Sequence, residues 1–355
     1  MKFVVRALTA TAVAAAVAAL AGCSATSPAP GSAEGSSAGT KLVVYTPQGD
    51  PVRGGYITKH AKSDLGLDVK LVNGAGGDLA TRLIAEKNNP QADVVVVLGA
   101  PQLNRIDQAG VLQPFAPDWA GKIPSAFASG SKDFTLLTQT PIAIAYNAST
   151  MTAAQAPSSW TDLAKPEYKD KFAFPALTSQ TGQAAAVGIL WRYADHTTGT
   201  VSQKGWDTLA AILHNAKQTA AGAPFDWAQV RSGVQPIVVS WLGGIQTGTS
   251  DNTIDLRIVD AVGGSPFVNG GVGMVKDTKN AAAARKFIDW FGSDSFQVGF
   301  VTATKNDTPL NPDAVKRLPG AEQGLRQVTP QKIDWGVVSQ RLSDWLQKIQ
   351  LDVQG

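Results

Sequence analysis

Five short polar stretches that contain glycine hold most of the residues of this 355-residue chain that could do chemistry: Thr46-Pro-Gln-Gly-Asp50, Asn73-Gly-Ala-Gly-Gly-Asp78, Leu98-Gly-Ala-Pro101, Thr178-Ser-Gln-Thr-Gly182 and Ser240-Trp-Leu-Gly-Gly244. The chemistry they suit is hydrogen bonding to a small solute. In the fourth, the hydroxyls of Thr178, Ser179 and Thr181 stand at the start of a helical pattern from Gly182 to Trp191, where unpaired backbone N–H groups and the helix dipole favour an anion. The same residue types also serve as plain helix caps. Thr46, Gln48 and Gly49 in the first stretch, and Gly76 and Gly77 in the second, add donors of the same kind. Trp241, between Ser240 and Gly243-Gly244, can close a pocket or fill a core. Asp226 beside Trp227, or Asp78, can meet an ammonium or cap a helix, and Tyr146 can reach the same region or pack in a hinge.

Bond-breaking chemistry finds no support in the residues. His60, His196 and His214 lie far apart and outside metal-ligand spacing, so neither a metal nor a cofactor is expected. No Gly-x-Ser-x-Gly, P-loop or dinucleotide fingerprint occurs, and Gly74-Ala-Gly-Gly-Asp78 is too short to count as one. A nucleophile paired with a base is missing.

The polar stretches follow strands. Lys41–Tyr45 is β-rich and ends in turn chemistry, a helix is expected over about 55–63, and Leu67–Val72 reads as a second strand. Asp78 can cap the next helix, in which Leu79, Leu83 and Ile84 keep helical spacing, and Ala92–Leu98 is a continuous buried strand. Such β-α-β-α-β alternation predicts a mostly parallel sheet covered on both faces. Thr138–Asn147 is a long extended segment read as a crossover into a second lobe. Strands follow at 172–174, 236–241 and 256–259, and helices at about 181–194, 203–216 and 281–291, the last with Asn280 as candidate cap and Phe287, Ile288 and Phe291 inward. Trp335, Leu342, Trp345 and Ile349 predict a final docked helix.

At the amino end, Lys2 and Arg6 precede an apolar run from Ala7 to Leu20, which ends in Leu-Ala-Gly-Cys23. The run is shorter than the ~20 residues that span a bilayer, and the layout is that of a secretory signal. Leu20–Cys23 resembles the bacterial lipoprotein box, which implies cleavage after residue 22 and a lipid on Cys23, the sole cysteine. Residues 24–40, nearly all Ser, Ala, Gly, Pro and Thr, are expected to form a flexible tether of about 20–25 Å. Loss of Lys2 and Arg6 takes the formal net charge from +3 to about +1, without the basic footprint of a nucleic-acid binder.

Lys41–Gly49, Glu86–Val94, Trp160-Thr-Asp-Leu with Pro166–Lys171, and Val275–Trp290 together resemble the extracellular solute-binding proteins of ABC importers, in the subgroup that serves ferric iron, thiamine, polyamines, sugar phosphates and 2-aminoethylphosphonate. The resemblance implies an α/β, two-lobed fold of the type II periplasmic-binding-protein kind. Each lobe would be a mostly parallel sheet covered by helices, with two hinge crossovers between them. The lobes are expected at 41–138 with 256–310 and at 139–255 with 311–355. It also implies a monomer outside the cytoplasm that encloses a solute when the lobes close and hands it to a membrane permease.

Gln91–Pro101 with Ile106 and Gly110–Leu112 is most similar to the aminoethylphosphonate-type binders, and Thr178–Gly182 sits where they keep a phosphonate loop, although its sequence departs from theirs. A phosphonate or phosphorylated solute is therefore preferred. A polyamine or thiamine, held by Trp227, Trp241 and carboxylates, stays open. Ferric iron is disfavoured, since Tyr45, Tyr56, Tyr146, Tyr168 and Tyr193 are nowhere adjacent. An exported hydrolase on the same frame is the rival class.

Overall fold

The computed structural model describes residues 41–218, 225–305, 307–319 and 328–353, so the expected signal sequence, Cys23 and the expected tether lie outside the described residues. The strands are β1 (Lys41–Thr46), β2 (Asp68–Asn73), β3 (Val94–Gly99), β4 (Leu112–Gln113), β5 (Phe134–Asn147), β6 (Phe172–Phe174), β7 (Lys217–Gln218), β8 (Ile237–Trp241), β9 (Leu256–Ile258), β10 (Phe267–Val275) and β11 (Thr308–Pro309). The helices are α1 (Pro51–Leu65), α2 (Gly76–Ala85), α3 (Ala100–Gln108), α4 (Gln180–Trp191), α5 (Gln203–Asn215), α6 (Trp227–Ser232), α7 (Leu242–Ser250), α8 (Ala281–Phe291), α9 (Asp294–Thr304), α10 (Pro312–Lys316) and α11 (Trp335–Lys348).

The sheet runs β2-β1-β3-β10-β5-β8-β6-β7. Its two ends are parallel, β2-β1-β3 and β8-β6-β7, while β10 and β5 in the middle are antiparallel to their neighbours, so the whole is mixed. Strand β5 belongs to both halves. Seven of its first eight residues pair with β10, Leu137 being left out at a register shift, and Ile142–Tyr146 pair with β8. The change of partner falls at Pro141, which has no N–H to give to a ladder. This is the crossover expected from the sequence.

In the first half, Leu42, Val44, Val94 and Val96 face Ile57 and Ala61 of α1 and the inward side chains of α8 and α9, among them Phe287, Ile288 and Phe291. Tyr45, Val95 and Leu98 face α2 and α3 on the other side. In the second half, Ile142, Ile144, Ile237 and Val239 pack on α4, α5 and α11, and Ala143, Ala145 and Val238 pack with Val230 of α6 and Ile245 of α7. Alternating apolar side chains thus bury both faces of each half, and helices must cover both.

Two expectations need correction, and one strand is not announced by the sequence. Residues 256–258, assigned to the first lobe by sequence, pair with Ala145–Asn147 and so extend the second half's sheet. Asn280 stands at the cap position of α8, but its side chain makes no cap bond; its amide donates to the Asp93 carboxylate instead, at 3.2 Å. Central strand β10 carries no β-rich signature, because Gly270, Gly271 and Gly273 interrupt it. A methyl group at Gly271 would stand 2.6 Å from the Thr135 carbonyl oxygen, so close sheet packing requires the residue that weakens the pattern.

Candidate solute-binding cleft

Each of the five polar stretches lies between a strand and the helix that follows it, and pairwise contacts link all five. The first meets the second where the Gly49 N–H donates to Asn73 Oδ1 at 3.1 Å. The second meets the fourth at Gly76 and Gly77: a methyl at Gly76 would lie 2.6 Å from Gln180 Cγ, and one at Gly77 would lie 3.3 Å from the Thr178 carbonyl oxygen. The third meets the fourth where the Gly99 N–H donates to Gln180 Oε1. Arg53, one helical turn past the first stretch, lays its guanidinium over the Trp241 ring in the fifth, 5.1 Å from the centroid. The meeting place joins α1, α2 and α3 of the first half to α4 and α7 of the second.

Within it the candidate residues have unequal tasks. Ser179 is the cap of α4: its Oγ accepts from the Gly182 N–H at 3.1 Å and donates to the Ala176 carbonyl at 2.7 Å. Thr178 is exposed and Thr181 half-buried, and neither hydroxyl has a side-chain hydrogen bond among the described residues. Gly182 is required by the loop itself, because a methyl there would fall 2.2 Å from the Ala176 carbonyl oxygen. Thr46 and Gln48 are fully buried; Thr46 Oγ1 accepts the Gln48 N–H at 3.1 Å, and Gln48 Nε2 donates to Asp307 at 3.1 Å. These two shape the loop from behind, and no solute reaches them in this arrangement.

Asp78 does not cap α2, which begins two residues earlier after Ala75; it sits exposed in the first turn. Helices α2, α3 and α7 all start without a side-chain cap, at Ala75, Gly99 and Trp241, so their first N–H groups are left to other acceptors. Ser240 and Trp241 end β8 at the meeting place, with the indole folded back so that a methyl at Gly243 would stand 2.1 Å from it. Asp226 caps α6 through the N–H groups of Ala228 and Gln229, and Trp227 packs where a methyl at Gly248 would lie 2.3 Å from its ring. Tyr146 pairs with Ile237, at the opposite end of β8 from Trp241. Four residues of strand are about 13 Å, so Tyr146 does not join the cleft.

Sequence reasoning missed three residues. Arg53 is fixed by an ion pair of its Nε with Asp50 Oδ2 at 2.5 Å, with the guanidinium side chain 22% exposed. Burial pushes the Asp50 carboxyl up, but the Arg53 N–H, its guanidinium charge and the Val52 N–H outweigh that and hold it below the usual carboxylate range. Its spacing of three from the cap of α1 is the one signal that could have marked it. Gln180 and Gln183 of α4 reach across to the first half, the latter accepting from Gln102 Nε2 at 2.6 Å. Their partners are distant in sequence, so no local pattern announces them.

The arrangement offers a small solute uncapped helix starts, free hydroxyls and one guanidinium, and it assembles no nucleophile with a base among the described residues. Residues 56–323 match the family model described as bacterial extracellular solute-binding protein. A probable ABC transporter periplasmic-binding protein of Sinorhizobium fredii is 34% identical over 314 residues, covering 88% of this chain and 86% of that one. An Fe(3+)-binding periplasmic protein of Serratia marcescens is 26% identical over 266 residues, 72% and 74% of the two chains. The solved periplasmic binding protein AfuA from Actinobacillus pleuropneumoniae, with exogenous fructose-6-phosphate bound, superposes with a TM-score of 0.76 at 18% identity, covering 89% of this chain and 99% of that chain. The neighbour shares the two-lobed fold, the relatives and the family model cover most of the sequence, and the chain belongs to the bacterial extracellular solute-binding proteins.

Proposed function

We propose that this protein captures a small anionic solute, a phosphonate or a phosphorylated compound, between its two halves. As a family member it is the solute-binding component of an ABC importer and acts outside the cytoplasm with membrane permease subunits. The cargo is the part we infer. The observation that carries it is that the uncapped starts of α2 and α3 meet the start of α4 at Gln180, while the Arg53 guanidinium, paired with Asp50, lies over Trp241 just before the uncapped start of α7. Thr178 and Thr181 add hydroxyl donors on the second half.

Ferric iron fits the described residues poorly. Tyr45 is buried and donates to Glu86, and burial, that bond and the Glu86 charge push its phenol up to about 12, far from a phenolate ligand. Tyr56 stacks on His60, Tyr168 donates to the Gln155 carbonyl, Tyr193 lies under Lys204, and Tyr146 is at the far end of its strand. A cationic solute would face Arg53. The Leu-Ala-Gly-Cys23 box supports a lipid anchor, and the core packing supports two lobes that hinge between β5 and the return into β10.

A thermal-shift screen tests the cargo. The panel holds 2-aminoethylphosphonate, fructose 6-phosphate, inorganic phosphate, spermidine, thiamine and ferric citrate. A ligand at 100 times its dissociation constant adds about 2.7 kcal/mol, and a phosphorus compound is expected to give that response. Stabilisation by spermidine or thiamine alone would overturn the anionic reading, and turnover of a phosphate ester abolished by Arg53→Gln would overturn the binding role.

A further inference from the structure

Strand β3 contains an anomaly at the cleft. Opposite β10, Val96 pairs with Val272 and Leu98 with Gly271, which leaves Val97 without a partner in a bulge. Val97 has a φ of 57°, in the left-handed region that a β-branched residue rarely enters. The bulge also breaks the alternation of faces, since Val96 and Val97 both pack in the core under α1, α8 and α9. Its effect is to turn the Val97 carbonyl out of the ladder. That carbonyl accepts from Gln180 Nε2 at 3.3 Å, while Gln180 Oε1 accepts from the Gly99 N–H.

One carboxamide therefore makes a two-point contact with the first half from the first residue of α4 in the second. Gly76 is the floor on which its stem lies, and Gln102 and Gln183 bridge the same two helices one turn further on. Both bonds cross between the halves, and both depend on a backbone conformation with a strain cost of its own. Strain of this sort persists only where surrounding contacts hold it.

We propose that Gln180 is a closure residue: its carboxamide docks in the Val97 bulge when the halves meet, so that solute affinity depends on a contact that does not touch the solute. Two discrete arrangements of β3 follow, one with the Val97 carbonyl turned to Gln180 and one relaxed when the halves part. A residue that favours the closed form raises the fraction competent to hold solute, and apparent affinity scales with that fraction whatever the solute is. The affinity consequence rests on the solute-binding reading above; the docking itself does not.

The test compares the full chain in detergent with its Gln180→Met variant, which keeps the volume against Gly76 and loses both bonds. Hydrogen exchange of the solute-free protein is read in three segments: 99–103 just past the bulge, where Gly99 donates to Gln180, 242–246 at the start of α7, and 42–45 in the core of β1. Faster exchange at 99–103 and also at 242–246, with 42–45 unchanged, is the expected result. A change confined to 99–103, no change, or faster exchange in all three would each overturn the proposal, because a merely local bond or general loosening would then account for the data. Gln180→Glu, which keeps an acceptor for Gly99 but sets a charge against the Val97 carbonyl, is expected to give the same pattern. With 2-aminoethylphosphonate and methylphosphonate as probes, the variant is expected to weaken both by the same factor, roughly tenfold for two lost bonds. A changed ratio between them would make Gln180 a solute contact and refute the closure role. If neither probe binds the wild type, the cargo assignment fails while the exchange result still decides the docking.

Discussion

The three hydroxyls at the start of α4 can be separated by experiment, because the structure gives them different work. Ser179 satisfies the Gly182 N–H and the Ala176 carbonyl. Removing a serine cap costs about 1 kcal/mol within a range of roughly 0.5–2, which in a protein of this size lowers the melting midpoint by about 2 °C. Ser179→Ala should therefore melt earlier and retain most of its affinity, since the backbone of α4 stays where it is. Thr178 and Thr181 form no such bond, so Thr178→Ala with Thr181→Ala should leave the stability within about 0.5 kcal/mol of wild type. Affinity is a different matter. A hydrogen bond to a charged oxygen is worth about 1.5–3 kcal/mol, so loss of even one should weaken an anionic solute by tenfold or more.

Calorimetric titration beside thermal melts reads both quantities on the same samples. The reasoning fails if Ser179→Ala loses affinity without stability, or if the threonine pair loses stability without affinity. Equal effects at all three positions would mean that the loop acts as one unit, and the assignment of cap and contact would be wrong.

Other consequences can be checked in the same way. Arg53→Gln should weaken a phosphonate or phosphate solute by tenfold or more while leaving a neutral solute unaffected, as titration at fixed ionic strength would show. Asp162 accepts the N–H groups of Ser158 and Ser159, the latter the cap of its turn, and pairs with Lys165 at 2.7 Å; burial opposes its charge, but Lys165 and Ser158 outweigh it and bring the carboxyl down to about 2. A lowered carboxyl stabilises fully above the ordinary value near 4 and loses this effect as pH falls toward 2, so Asp162→Asn should cost about 2 kcal/mol at pH 7 and little at pH 2 in urea unfolding. Gly243→Ala would drive a methyl to 2.4 Å from the Lys305 carbonyl oxygen as well as into Trp241, and should cost roughly 1–3 kcal/mol with a change in tryptophan emission. Gly55→Ala, on an exposed face of α1 where a new methyl meets nothing within 4 Å, should instead stabilise by about 0.5–1 kcal/mol in the same melts.

The strand-to-loop-to-helix punctuation at 46–50, 73–78, 98–101, 178–182 and 240–244 was legible because it is local. Apolar runs of period two end in Gly, Pro, Ser, Thr or Asn, and that chemistry fixes where a strand stops. Once the alternation implies a covered sheet, those stops must gather at its edge, and it is there that the five stretches meet. The helix of Phe287, Ile288 and Phe291 was legible for the same reason, its three side chains being fully buried as their spacing requires.

What each polar residue does was decided by partners that sequence order does not name. Asp226 and Ser179 look like ligand donors in a list of residues and are caps in the fold, because a backbone N–H two or three residues away is always within reach. Gly76 looks like room for a solute and is room for Gln180. Central strand β10 leaves no β pattern, since its glycines serve neighbours on β5 and α3, and the antiparallel pairing of β5 with β8 sets Tyr146 at the end away from Trp241. Sequence alone determined the alternation of strands and helices and the polar stops that gather at one edge of the sheet. Only the tertiary structure joined Arg53 to Trp241 and Gln180 to the Val97 bulge, because contacts between halves link residues far apart in sequence and leave no periodic trace along the chain.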